Sequence, residues 1–123
     1  LFADLAASKE VALESRTLAD LEDPAKTQHP FDLVINATAA GLTDESPLSS
    51  QAVSNIFVPS SFAYDMVYGK TTAFMQQALQ RGSRVSDGLG MLVEQAADAF
   101  LLWRGAHLAN LIDPRAVLAG LRS

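Results

Sequence analysis

Three short constellations carry residue types able to bind a ligand. The first, Asn36-Ala37-Thr38-Ala39-Ala40-Gly41, follows an apolar run with one polar residue and then a string of small ones. In an open α/β sheet ligands lie beyond the carboxyl ends of strands, and small side chains there admit a ligand to the backbone amides. A tight turn between strand and helix would use the same residues. The second is Tyr64-Asp65-Met66-Val67-Tyr68. Residues two apart share a face of an extended chain, so Met66 and Tyr68 can look into one cleft while Val67 points into the sheet. A phenol at Tyr68 suits a substrate hydroxyl or carboxylate, and the Met66 thioether suits a flat ring; plain strand packing is the alternative. The third, Asp87-Gly88-Leu89-Gly90-Met91-Leu92-Val93-Glu94-Gln95-Ala96, is a turn feeding a helix. Gly88, Met91 and Gln95, three and four apart, fall on one face. A backbone-exposing glycine, a soft thioether and a neutral amide fit a flat heteroaromatic ring beside a polyhydroxylated substrate, although a glycine cap and a solvated Gln would look the same.

Other chemistries are excluded. With no cysteine, disulfides, thiolate catalysis and Cys-based metal sites are absent, which is compatible with a reducing cytosol. Two histidines, His29 and His107, are too few for a His-based metal site. A net charge of −5, with no two basic residues adjacent, argues against nucleic acid or an anionic membrane as partner. No apolar run approaches the roughly 20 residues of a membrane span.

The elements that position these residues follow a βαβ alternation, which indicates a parallel sheet. Strands are expected at 31–36, 62–68 and 84–86, with a weak one at 11–13. The apolar residues Phe74, Met75 and Ala78 mark one face of a helix over 71–80. Thr17 to Leu21 can form one helical turn, and 46–55 a loop with a short helix. The strongest helical pattern covers 89–104, its stripe Leu89, Leu92, Ala96, Ala99 and Trp103 expected to face the core. A final helix over 114–121 carries Pro at its first turn. Leu1-Phe2-Ala3-Asp4-Leu5-Ala6-Ala7 has helical spacing with no capping residue before it, as in a helix cut in the middle, so the chain is expected to be a piece of a longer one.

In this order, the segment from Asp32 to Leu42, Tyr64-Asp65-Met66-Val67-Tyr68, and the run from Asp87 to Ala97 with Phe100, Trp103, Arg104 and Gly105 resemble the shikimate dehydrogenase family over residues 31 to 122. The resemblance implies an α/β fold, the C-terminal half of a Rossmann-like NADP-binding domain. Its parallel sheet would be flanked by helices, and its C-terminal helices would pack toward a missing substrate domain. It implies NADPH-dependent reduction of 3-dehydroshikimate to shikimate. Asn36, Ala37 and Thr38 would line the cofactor cleft, Met66 and Gly88 would meet the nicotinamide end with Met91 nearby, and Tyr68 and Gln95 would touch the substrate. A branched side chain at Gly88 would then block the cofactor and spare the fold. The family's catalytic Lys and Asp, its glycine-rich phosphate turn and its Asn-Arg-Thr motif are not present; Ser15-Arg16-Thr17 comes too late in the layout. Thr72-Ala73-Phe74 stands where the family commonly has Thr-Pro-Phe. Two alternatives stay open: a quinate/shikimate dehydrogenase using NAD, and a non-catalytic binding module of the same fold.

In a Rossmann sheet of order 3-2-1-4-5-6, the strands at 31–36, 62–68 and 84–86 are the later three. The strand at 31–36 is then expected at an edge through which the fragment can associate, with residues 1–30 displaced or held by a neighbouring chain.

Overall fold

The computed structural model describes residues 13–123. Three parallel strands, β1 (Leu33–Asn36), β2 (Phe62–Asp65) and β3 (Arg84–Ser86), form one sheet in the order β1-β2-β3. Leu33 stands opposite Phe62 and Asn36 opposite Asp65; Phe62 in turn pairs with Arg84. Each strand is shorter than or equal to its expected span, and β2 stops at Asp65 because the next residues leave the ladder to form a loop. The early strand expected at 11–13 and the helix at 1–7 lie largely or wholly outside the described residues, and Leu13 belongs to no strand.

Alternation gives the sheet two unequal faces. Val34, Ala63 and Val85 look toward helices α1 (Ser50–Ile56) and α2 (Ala73–Gln80), where Ala52, Val53, Ile56, Phe57, Phe74, Met75 and Ala78 make the core. Leu33 and Ile35, on the opposite face of β1, remain 52% and 56% exposed. Farther along that face the Arg84 guanidinium lies 5.6 Å from the centre of the Phe62 ring, a cation–π contact.

Local chemistry sets the helix ends. Ser49 caps α1 by accepting from the Ala52 N–H at 3.2 Å. Thr72 caps α2, accepting from the Met75 N–H at 3.3 Å. Gly82, at φ 78°, closes α2 with its N–H on the Leu79 carbonyl at 2.9 Å, a backbone conformation that favours glycine. Ala73 occupies the first position of α2, whose N–H has no acceptor within the helix, and Thr72 before it is extended, at φ −74° and ψ 164°. A proline requires that of the residue it follows and is preorganised for this position. Ala73→Pro is therefore expected to stabilise the protein by about 0.5 kcal/mol, read as an upward shift of the urea midpoint.

Of residues 1–30, expected to be displaced or held by a neighbouring chain, the stretch 17–30 is instead held within its own chain. Thr17 and Asp20 form a capping box on the 3-10 turn Leu18–Glu22. The Lys26 ammonium, 2.5 Å from Asp20, holds that carboxyl far below its usual range. Leu21 packs against the core, the Asn55 amide donates to its carbonyl at 2.9 Å, and the Phe31 N–H reaches the Ile56 carbonyl at 3.0 Å. The first strand's flank is thus tied to α1.

The long helix α3 (Leu89–Arg104) and α4 (Pro114–Leu121) follow. Asp113 caps α4, with Pro114 in its first turn as expected. The stripe expected to face the core does not do so: Val93 is the buried residue of α3, Ala96 is exposed, and Trp103 is 84% exposed. Leu92, Val93, Ala96, Ala97 and Phe100 instead border a groove of about 380 Å³ shared with Ile112, Pro114, Val117 and Leu121. The stripe is apolar as expected, but what lies against α3 is the 3-10 segment Ala106–Leu111 and the short α4, not the core of the sheet.

Candidate functional site

Because the strands are parallel, their carboxyl ends bring all three constellations to one edge of the sheet. At the end of β1 the chain passes through Asn36, Ala37 and Thr38 into the 3-10 turn Ala40–Thr43. At the end of β2 it runs through Met66, Val67 and Tyr68. At the end of β3 it turns at Asp87-Gly88 into α3. The second and third are joined directly: the Gly88 N–H donates to the Val67 carbonyl at 3.2 Å.

Gly88 is a place of close approach. A Cβ built there would lie 2.2 Å from the Met66 carbonyl oxygen and 2.7 Å from its carbon, both backbone atoms. Its φ of −78° is open to any residue, so the space and not the dihedral demands glycine. The expectation that a branched residue at 88 spares the fold is overturned by this contact. Gly41 has a similar explanation, since a Cβ there would meet Thr72 Cγ2 and Val67 Cγ2 at 3.1 Å each. For Gly41 the small residue serves packing. Ala37 and Thr38, by contrast, are exposed at the strand end.

A buried polar network underlies the site. Asp65, at the end of β2, is 0% exposed, and Asn36, its partner across the ladder, is nearly so. The Asn36 amide donates to Asp65 Oδ2 at 3.2 Å, while its carbonyl oxygen accepts from the Thr38 N–H at 3.1 Å and the Thr38 hydroxyl at 2.7 Å. Asp65 Oδ2 also accepts from the buried Thr72 hydroxyl at 2.5 Å, and Oδ1 from the Val67 N–H at 3.0 Å. No buried side-chain polar atom among the described residues lacks a partner. Asn36 thus spends its side chain within the protein, and Ala37 and Thr38 are the exposed residues of this loop. Local sequence pattern assigns Asp65 and Thr72 no role. The available signals were a carboxylate set between aromatic and apolar residues of a strand, and a Thr at the start of an apolar helix.

Met66 and Tyr68 flank the half-buried Val67 and are both substantially exposed, as the two-residue spacing implied, although they lie just past the strand. Met91, one turn beyond Gly88, is half-buried and Gln95, a turn further, is exposed. Asp87 accepts from the Arg122 guanidinium at 3.1 Å, which ties the end of α4 to the start of α3. No group of three or more potential metal ligands occurs among the described residues, and no described helix is long and apolar enough to cross a membrane.

An α/β segment with a parallel sheet and three loops at the carboxyl edge of its strands is of the Rossmann-like class. No family model matches the chain, but individual proteins do. It is 50% identical over 112 residues to the shikimate dehydrogenase (NADP(+)) of Herminiimonas arsenicoxydans, covering 90% of this chain and 36% of that protein. It is 59% identical over 78 residues to that of Dechloromonas aromatica, covering 61% and 27%. Among solved structures, shikimate dehydrogenase 1 from Peptoclostridium difficile superimposes with a TM-score of 0.63 at 25% identity, over 78% of this chain and 36% of that one. A chorismate mutase/shikimate 5-dehydrogenase fusion protein from Clostridium acetobutylicum gives 0.60 at 28%, over 77% and 34%. The chain belongs to the shikimate dehydrogenase family. It spans about a third of the length of the curated relatives it matches.

Proposed function

We propose that these residues form the cofactor-facing part of an NADP-dependent shikimate dehydrogenase, a cytoplasmic enzyme reducing 3-dehydroshikimate to shikimate. The observation that carries the proposal is the convergence of the loops 36–38, 66–68 and 88–91 on one sheet edge, joined through Gly88 and Val67. The relatives' names support NADP(+) over the NAD alternative.

The residues present fit such a cofactor at its nicotinamide end. Exposed Ala37, Thr38 and Met66 and half-buried Met91 offer small or soft surface to a flat ring. When bound, NADPH supplies the hydride. The protein's own part is to orient that ring, with Tyr68 and Gln95 holding substrate hydroxyls by neutral hydrogen bonds that leave no buried charge. The Lys and Asp that the family resemblance assigns to catalysis are outside these 123 residues, so the segment alone is expected to be inactive. Its exposed apolar surfaces, Leu33 and Ile35 on the open face of β1 and Leu102, Trp103 and Leu111 at the far end of α3 and beyond, suit coverage by further helices and by a substrate domain.

In the full-length enzyme, Tyr68→Phe and Gln95→Ala are each expected to lower kcat/KM by an amount equivalent to about 1–3 kcal/mol, the cost of a lost polar contact. Steady-state kinetics with varied 3-dehydroshikimate provide the measurement. Wild-type constants in both variants would remove the substrate assignment.

A further inference from the structure

We infer that Asp65 is the positioning residue of this site: one buried carboxylate fixes the cofactor loop and the substrate loop relative to each other. The inference rests on the assignment of loops 36–38 and 66–68 to ligands. Oδ2 of Asp65 binds the Asn36 amide, and Asn36 holds Thr38 through both its N–H and its hydroxyl. Oδ1 binds the Val67 N–H, between Met66 and Tyr68. Oδ2 also takes the hydroxyl of Thr72, which caps α2. One group therefore connects the ends of two strands and the start of a helix, and it does so at 0% exposure, where an alternative partner from solvent is not to hand.

Every partner of this carboxylate is a donor, three in all. Asp65→Asn keeps the shape but supplies one acceptor and one donor. In either orientation the new NH2 faces an N–H or an O–H. If the Asn36 amide flips to compensate, its NH2 is turned on the Thr38 N–H. The mismatch thus moves outward along the network to the exposed loop. Exchanging the two side chains, Asn36→Asp with Asp65→Asn, restores the pattern. A carboxylate at 36 accepts from Thr38 and from the new amide, the amide oxygen accepts from Val67, and the Thr72 hydroxyl turns from donor to acceptor, its proton the one group left to find a new partner.

The test is steady-state kinetics and thermal unfolding of the full-length enzyme carrying each variant. Folded Asp65→Asn is expected to raise KM for NADPH and for 3-dehydroshikimate by about tenfold, with kcat held within about threefold, because the loops bind but are misplaced. The exchanged pair is expected to recover most of that loss. A merely structural Asp65 would lower the unfolding temperature and leave both KM values of the folded enzyme unchanged, and that result overturns the inference. If Asp65→Asn does not accumulate folded, the exchanged pair decides: near wild-type KM values support the inference, whereas raised values or failure to fold overturn it. Tyr68→Phe and Gln95→Ala are run alongside. If they impair the enzyme while Asp65→Asn does not, the site stands and the positioning role falls; if they too are silent, the site assignment itself has failed.

Discussion

Gly88→Ala is expected to damage the protein almost as severely as Gly88→Val. The offending atom is Cβ, which both substitutions add, and it would sit 2.2 Å from the Met66 carbonyl oxygen. A carbon–oxygen contact relaxes only near about 3.3 Å, so α3 and the end of β2 must part by about 1 Å. Backbone faces backbone there, and no side chain can swing aside. Parting them also costs the Gly88 N–H to Val67 bond. The expected loss is about 3–5 kcal/mol of stability for either variant, at the severe end for single substitutions. Denaturant unfolding of the two variants checks it. A role limited to admitting the nicotinamide predicts a different order, with Gly88→Ala mild, Gly88→Val severe for NADPH affinity, and stability untouched in both. Equal and large destabilisation would show that the glycine builds the cleft by joining two strand ends, before any question of what enters it.

Gly88 separates what local sequence reports from what it does not. Its place at a strand–helix junction was legible from the apolar run of β3 and the long helical pattern after it. The demand for glycine came from a non-local contact with Met66, 22 residues earlier, and no local pattern reports such a contact. The same division holds across the fold. Phe74, Met75 and Ala78 announced the buried face of α2 because a helix repeats its spacing locally, and all three are buried. Asp65 and Thr72 were silent because their meaning lies in pairing β1 with β2 and capping α2 at the same point. On α3 the pattern was sound and its interpretation was not. Leu92, Ala96 and Trp103 are apolar, but periodicity reports that a face is apolar and not which surface will cover it. The turn at 18–22 shows the opposite error, since it lies in a stretch expected to be displaced or held by a neighbouring chain and packs on α1 through Leu21 and Asn55.

Burial against α1 and α2 also sets the second large effect, Phe57→Ala, expected to cost about 3–5 kcal/mol. Phe57 is 0% exposed and lies where α1 ends, its N–H on the Val53 carbonyl at 3.1 Å. Its ring meets Phe74 edge to face, the centroids 5.8 Å apart at 62°, an arrangement that adds to the area it buries. Truncation would open a void between α1, α2 and the sheet, and the neighbours Ile56 and Phe74 are themselves held by backbone that cannot collapse far. Phe57→Leu, which keeps much of the volume, should cost only about 1.5 kcal/mol. Trp103→Ala is the telling comparison. Trp103 is larger than Phe57 but 84% exposed, so in this segment its loss should change stability by no more than about 0.5 kcal/mol. In the full-length enzyme the proposed cover over α3 would raise that figure to about 2 kcal/mol or more. Denaturant midpoints of the three variants in both contexts give the answer. A Trp103→Ala effect that stays near zero at full length would place the covering domain elsewhere, and a Phe57→Ala effect below about 1 kcal/mol would mean that the core between the helices and the sheet is not packed as described.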